Sequence, residues 1–428
     1  MAAYLVFPPV ARLRGEAVVP ASKSATNRAL LLAAVSRDPV LVENPLDSFD
    51  LEAMARALAA MGATISQEAG GWRVAGPLRA SAGGEVSLDV AESGTAARFL
   101  AALASVVPGR WRIDGAPRMR ERPMAELIEA LRGGGARIEC LGEDGYLPIS
   151  IEGATLTAET VEIDASRSSQ FASALLLAGA ARGGGLEVRL RAGIVSAPYV
   201  ATTLAMLEAF GHSVRRDPAW RVSPGTASPR RYRVPGDWSS ALPLLAAAGV
   251  AGGVVALRGL EPASPDADAL AARELPRMGV DLEISPDRVV ARRAAAGLRH
   301  TEIDAGSFPD AVPALAALAA GAPGASRFTG IAHLRWKESD RIAGLCDLLA
   351  AAGAGTEAGP GESELTVVGE AAAPALRRLP TRGDHRLVMA AALLALARPG
   401  CLVENPDAVG KSYPAFFRDL AGLCVWRQ

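Results

Sequence analysis

Short runs in which apolar and polar residues alternate recur along the chain, each followed by a polar or glycine-containing turn and then a stretch dense in Ala and Leu. The alternation has the period of a half-buried strand, and the Ala/Leu stretches have the length of buried helices. Six such copies can be read: VVPASKSATNRALLLAAV from Val18, SLDVAESGTAARFLAALA from Ser87, VEIDASRSSQFASALLLAGA from Val161, YRVPGDWSSALPLLAAAG from Tyr232, EIDAGSFPDAVPALAALAAG from Glu302 and LPTRGDHRLVMAAALLAL from Leu379. They stand roughly 70 residues apart, beyond the roughly 20–50 of stacked solenoids, so each copy is long enough to be a small αβ unit. GGWRVAG, RRYRVPG and ESELTVVG read as further strands between the helices. The chain is therefore α/β, without the long Val/Ile runs of a doubly wound parallel sheet. Three copies precede the neighbourhood of Ser240 and three follow, and the Pro/Gly/Arg-rich segment 217–231 lies shortly before that division. Two similar halves, each of three similar units, is the economical reading, with a ligand expected in the cleft between them where the turns face each other.

A turn that opens a helix exposes backbone N–H groups with no partner inside the helix, at the positive end of its dipole, and so offers a site for an anion. Several of the six turns add donors to this. ASKSATNR places Lys23, Ser24 and Arg28 at a helix start: a mobile cation, a hydroxyl able to cap the helix, and a planar guanidinium. ASRSSQF places the neutral donors Ser168, Ser169 and Gln170 just before a helix. PRMRERPM packs Arg118, Arg120 and Arg122 into one segment beside Glu121, which fits carboxylate or phosphate binding or an ordinary solvated loop. In RWKESDRIAGL the four-residue spacing puts Lys337 and Arg341 on one helical face, above an apolar stripe of Ile342, Leu345 and Leu349, with Glu338 turned aside. Cations beside a carboxylate suit anion binding coupled to proton transfer, although a surface helix with ion pairs has the same pattern. GDHRLVMA sets Asp384, His385 and Arg386 at another helix start, and VGKSYP offers Lys411.

Composition narrows the partners. A net charge of −1 over 428 residues leaves no global field to recruit nucleic acid or an anionic membrane, so anion sites must come from local clusters. The length fits two or three domains. The longest apolar stretch, 241–257, contains Pro243 and Gly252-Gly253 and reads as helix, turn and strand, not as a membrane span. The first residues, MAAYLVFPPVARLRG, lack a basic stretch followed by a long apolar run, so no signal peptide is expected. Cys140, Cys346, Cys401 and Cys424 are scattered without paired spacing, which fits a reduced cytoplasm better than a disulfide framework. GKS at 410–412 lacks the earlier glycine of a P-loop, because position 405 is Asn. No HExxH, paired-Cys or strand-following GxGxxG motif supports zinc or a dinucleotide.

In this order, from Lys23 to Lys411, the segments resemble the EPSP synthase family of enolpyruvyl transferases. The resemblance implies two domains, each of three βαβαββ units about a pseudo-threefold axis. It implies a discontinuous domain of residues 1–20 and 238–428, completed by the N-terminal strand, and an inserted domain of residues 21–237. It implies transfer of the enolpyruvyl group of phosphoenolpyruvate to the 5-hydroxyl of shikimate 3-phosphate with release of phosphate, by a cytoplasmic monomer with neither metal nor organic cofactor. Carried over by motif, Ser24, Arg28, Ser168, Ser169, Gln170, Ser196 and Tyr199 hold shikimate 3-phosphate, with Asp310, His333 and Lys337. Gly94, Arg122, Arg341, His385, Arg386 and Lys411 hold phosphoenolpyruvate, and Lys23 and Gln170 meet both substrates. Asp310, Glu338 and Lys23 are the implied proton carriers, with the steps not divided among them.

The chain departs from many family members at Ala91-Glu92-Ser93-Gly94-Thr95, where Gly-Asn more often precedes the Ala/Ser-Gly-Thr, and at His333, where some relatives have Asn. A carboxylate at Glu92 either pairs with a neighbouring Arg or alters the phosphoenolpyruvate contacts. Retention of Gly94 implies inhibition by glyphosate in competition with phosphoenolpyruvate. Two other readings stand beside this one. The enolpyruvyl transferase that acts on UDP-N-acetylglucosamine carries a reactive Cys where this chain has PRMRERPM. A non-catalytic anion-binding scaffold would be expected to have lost an acid or a base, yet Asp310 and Glu338 are both present.

Overall fold

The computed structural model describes residues 3–426 apart from 80–83, 218, 226, 265, 360, 362 and 370–376. Met1, Ala2, Pro218, Thr226 and Glu362 of the segments read above therefore lie outside the described residues. The chain divides into two compact units, one formed by Met1–Pro20 with Pro235–Gln428 and the other by Ala21–Val234.

In the unit Ala21–Val234 the helices of the first three copies, Lys23–Val35, Gly94–Val106 and Ser169–Ala181, pack on one another. Every residue from Ala25 to Ala34 and from Phe171 to Ala180 is buried. A helix that is apolar on all sides can only be satisfied inside a core. Three four-stranded sheets accompany these helices. Glu85–Asp89 runs parallel to Arg110–Asp114, which pairs antiparallel with Ile149–Glu152, itself antiparallel to Arg137–Cys140. Thr160–Ala165, Leu186–Ile194, Trp220–Ser223 and Ser213–Arg215 repeat that order. A parallel pair needs a crossover, which the buried helix supplies. The remaining sheet is closed from the far end of the unit: Arg231–Arg233 runs parallel to Val40–Glu43, followed by Gly71–Ala75 and Thr64–Glu68.

The other unit repeats the plan. Its buried helices are Trp238–Ala251, Val312–Ala319 and His385–Ala397, and they too pack together. Glu302–Asp304, Gly324–Thr329, Leu365–Gly369 and Gly355–Ala358 form a sheet of the same order. In the five-stranded sheet the parallel partner of Gly253–Arg258 is the N-terminal strand Val10–Val18, in register from Leu13 to Val18, and Cys424–Trp426 pairs with its outer edge. Tyr4–Val6, Leu402–Glu404 and Arg378–Leu379 make the third sheet. The six α/β copies expected from sequence are thus present as six sheets and six buried helices among the described residues. The stretch 241–257 is helix, then Gly252 and Gly253 at φ 74° and 104°, then strand, as its residues imply. Among the described residues no helix is long and apolar enough to cross a membrane.

Gly253 joins the N-terminal strand to the rest of its unit. A Cβ there would lie 1.9 Å from the Leu13 carbonyl oxygen, at a left-handed φ that an L side chain resists. Gly253→Ala is expected to cost about 2–4 kcal/mol by strain and lost pairing, read as a lower urea midpoint. An unchanged midpoint would contradict the close approach of these strands.

Candidate functional site

The starts of the three buried helices in Ala21–Val234 are each capped by a serine. Ser22 accepts from Ala25 N, Ser93 from Ala96 N and Ser168 from Gln170 N, at 3.2, 3.3 and 3.3 Å. Neutral caps leave the positive helix ends uncompensated. Lys23, the first helical residue, is largely buried with its Nζ 3.5 Å from Asp50. Arg28 is buried and donates to neutral oxygens: Thr203 Oγ1 at 2.7 Å, the Ser24 carbonyl at 2.9 Å, the Tyr199 carbonyl at 3.3 Å and Ser173 Oγ at 3.4 Å. It therefore ties its helix to Ser169–Ala181 and to Pro198–Ala209, the helix that carries Tyr199. Ser196, just before that helix, is buried at φ 52°, a costly conformation for a non-glycine residue.

Gln170 and Arg122 belong to a second group in this unit. Arg98 donates to Gln170 Oε1 at 2.5 Å and to the Pro123 carbonyl at 3.3 Å, while Gln170 Nε2 donates to Thr95 Oγ1 at 3.2 Å. Arg122 is buried, yet among the described residues it has only long contacts, 3.4 Å to the Glu92 carbonyl and 3.8 Å to Met119 sulfur, and its Nε has no partner there. A buried guanidinium so weakly bonded is suited to a ligand anion. Gly94 makes room for it, because a Cβ there would fall 2.6 Å from the guanidinium carbon and both terminal nitrogens of Arg122. The neighbouring arginines differ: Arg118 is half-buried and Arg120 exposed, and they pair with Glu121 and Asp114 at 2.7 and 2.8 Å. The Glu92 side chain is exposed, and the Glu92 carbonyl oxygen meets Arg122.

The other unit centres on Arg341, whose side chain is wholly buried. Three carboxylates surround it: Asp310 at 2.6 Å, Glu338 at 2.7 Å and Asp384 at 2.9 Å. Asp384 caps His385–Ala397 through Arg386 N and accepts from Ser339 Oγ at 3.1 Å. Burial alone would raise the pKa of Asp310. The positive charges of Arg341, Arg386 and Lys337 outweigh it and hold that carboxyl far below the usual range. Burial opposes the charge on Arg341, but Asp384, Glu338 and Asp310 keep its pKa well above the ordinary value. His333 is buried, and desolvation, helped by Lys337, lowers its pKa to about 3, so the imidazole stays neutral. His385 is buried with its Nδ1 3.7 Å from Asp384, and Lys411 ends the short 3₁₀ turn Pro406–Lys411.

Two local expectations need correction. Lys337 and Arg341 do not share a helical face: Ala332–Trp336 is a 3₁₀ turn that ends at Lys337, and the α-helix begins only at Arg341. Asp340 takes the cap by accepting from Ala343 N, so the chain turns within KESD and both Glu338 and Asp310 reach the same guanidinium. Ser24 does not cap its helix, because Ser22 does and Ser24 lies inside the first turn. Sequence reasoning also passed over Arg98, Asp384 as a partner of Arg341, and Ser239. Arg98 could have been found as a lone cation within the apolar run 96–104.

The histidine supplies a pH test. Between its unfolded value of 6.5 and its folded value of about 3 the unfolded chain binds the extra proton, so acid in that window favours unfolding. From pH 7 to pH 4.5, His333→Asn is expected to lose about 2–3 kcal/mol less stability than the parent in urea titrations, since one pKa unit is worth about 1.4 kcal/mol. Asp310 lies outside this window, because its loss begins only below its unfolded value of 3.8. Parallel pH curves for the two proteins would refute the neutral buried imidazole.

Residues 8–420 match the family model described as EPSP synthase (3-phosphoshikimate 1-carboxyvinyltransferase). The chain is 38% identical over 419 residues to the 3-phosphoshikimate 1-carboxyvinyltransferase of Syntrophobacter fumaroxidans, covering 97% of this chain and 98% of the relative. It is 37% identical over 420 residues to that of Halobacterium salinarum, with 96% and 97% covered. Among solved structures, EPSP synthase from Acinetobacter baumannii superposes with a TM-score of 0.78 at 25% identity, over 100% of this chain and 99% of that one. The buried cation–carboxylate groups described above thus stand in a sequence matched almost end to end, and the chain belongs to the EPSP synthase family.

Proposed function

We propose that this chain transfers the carboxyvinyl group of phosphoenolpyruvate to the 5-hydroxyl of shikimate 3-phosphate, releasing phosphate, as a step of aromatic amino-acid biosynthesis. The observation that carries the reading is the family match across residues 8–420. We read the enzyme as a cytoplasmic monomer without cofactor, in keeping with its four free thiols. Ser24, Arg28, Ser168, Ser169, Gln170, Ser196 and Tyr199 hold shikimate 3-phosphate with His333 and Lys337. Arg122, Arg341, His385, Arg386 and Lys411 hold phosphoenolpyruvate beside Gly94, and Lys23 lies between the two.

In the addition the 5-hydroxyl oxygen bonds to C2 of phosphoenolpyruvate and gives up its proton, while C3 gains a proton and becomes a methyl group. In the elimination the methyl group returns a proton, the double bond re-forms, and phosphate leaves with the C2–O electron pair. Atoms balance without an oxidant or metal. Asp310 is the base for the hydroxyl and Glu338 the acid for C3. The arginine they share explains how they are switched. Without substrate, Arg341 holds Asp310 as a weak base. A substrate carboxylate that takes over part of Arg341 weakens that hold and raises the basicity of Asp310 where it is needed. Several fixed cations offset the repulsion between two anionic substrates, and more strongly once water is excluded.

Phosphate release from phosphoenolpyruvate is expected only with shikimate 3-phosphate and not with UDP-N-acetylglucosamine. Release with the sugar nucleotide alone would transfer the assignment, and release with neither would end it. Asp310→Asn and Glu338→Gln should each lower kcat by about 10²–10⁴-fold in that assay while the protein stays folded. Gly94→Ala should raise the KM for phosphoenolpyruvate about tenfold or more and weaken glyphosate inhibition with it, because the methyl group displaces the flexible end of Arg122. A parent enzyme untouched by millimolar glyphosate would break that link.

A further inference from the structure

Pro243 sits inside the buried helix Trp238–Ala251, where a proline is usually costly. Lacking an N–H, it cannot bond to the carbonyl four residues earlier, that of Ser239. The freed carbonyl is not left bare: Arg386 Nη1 donates to it at 2.7 Å. Arg386 Nη2 donates to the hydroxyl of the same serine. That hydroxyl in turn donates to Asp237 Oδ1 at 2.8 Å, and the Asp237 carboxylate is fixed by Ser239 N at 3.1 Å and Ser240 Oγ at 2.6 Å. Ser239 is 5% exposed and Asp237 4%, so the support is rigid and dry. On its other side Arg386 Nη2 lies 3.6 Å from Asp310. Among the described residues Arg386 Nε is buried without a partner, which leaves the guanidinium gripped at its terminal nitrogens with a donor to spare.

We propose that Ser239 and Pro243 are positioning residues for phosphoenolpyruvate. Pro243 vacates the Ser239 carbonyl, and the carbonyl and hydroxyl together hold the Arg386 guanidinium in the orientation that receives the substrate's anionic group. The inference rests on the function proposed above for Arg386. A buried arginine keeps several rotamers open unless both ends of its planar fork are fixed, and a misplaced cation costs binding even when its charge is intact.

The test is steady-state kinetics of the full-length enzyme, with both substrates varied and thermal midpoints recorded. Ser239→Ala removes the hydroxyl, and should raise the KM for phosphoenolpyruvate about tenfold with kcat within about twofold and the KM for shikimate 3-phosphate unchanged. Pro243→Ala restores an N–H that competes for the carbonyl, and should raise the same KM about threefold or more while the midpoint holds or rises, since alanine favours the helix. Ser239→Thr keeps the hydroxyl and should retain the parental KM. An unchanged phosphoenolpyruvate KM in both alanine variants would overturn the proposal. So would equal losses for both substrates together with a lower midpoint, which would make the residues merely structural. A parent enzyme that releases no phosphate would instead defeat the functional reading itself.

Discussion

The burial of Arg341 among three carboxylates is the constraint on which its unit depends. A lone guanidinium without water is strongly disfavoured, and so is a lone carboxylate. Together they make a group that is tolerable inside the protein because each charge is answered by its neighbours. Asp310 arrives from the start of one buried helix, Asp384 from the start of another, and Glu338 from the turn before the helix that Arg341 opens. Neutralising one carboxylate leaves Arg341 paired with the other two, whereas removing Arg341 would leave three carboxylates facing one another. The cluster therefore fixes the relative placement of three helix starts within the unit, as well as holding the groups assigned to proton transfer.

Such an arrangement stores reactivity in a quiet form. A carboxylate paired at 2.6 Å to a buried cation gains little from taking a proton. It becomes a useful base when a competing anion shares the cation. In the reaction proposed above the substrate is itself such an anion, so binding and activation would be one event. Asp310, Arg386 and Ser239 extend the same logic, because the cation nearest Asp310 on its second side is anchored to a carbonyl that proline left vacant.

Much of this was legible in sequence because helix starts have local rules. The six copies, their buried helices and the strand–helix alternation follow from periodicity and from turn residues such as Gly252-Gly253. Lys23, Arg122, Gln170, Arg341 and Arg386 stand out as polar residues at the mouths of apolar helices. What escaped is what depends on chain direction over a few residues or on distant partners. The KESD segment has helical spacing, yet Asp340 competes as a cap and delays the helix to Arg341, which leaves Glu338 in the turn before it, 2.7 Å from the guanidinium. No local pattern pairs Arg98 with Gln170, 72 residues on, or Arg386 with Ser239, 147 residues back. Those are products of packing.

One repeated junction carries two kinds of chemistry, and the cap residue separates them. In Ala21–Val234 the buried helices are capped by Ser22, Ser93 and Ser168, which satisfy an N–H without adding charge, so the positive helix ends remain available to anions. In the other unit two of the three helices are capped by Asp237 and Asp384, and Asp310 precedes the third at Ala311. There the dipole is already answered by a carboxylate, and each carboxylate draws in a hydroxyl or a guanidinium. The first arrangement can bind an anion but has little to offer a proton. The second holds carboxylates and arginines in balance, which is what moving protons on and off an anionic substrate requires. A serine or an aspartate at one position of an αβ copy is a small change in sequence, and it decides whether the positive helix start stays open or is answered by a carboxylate.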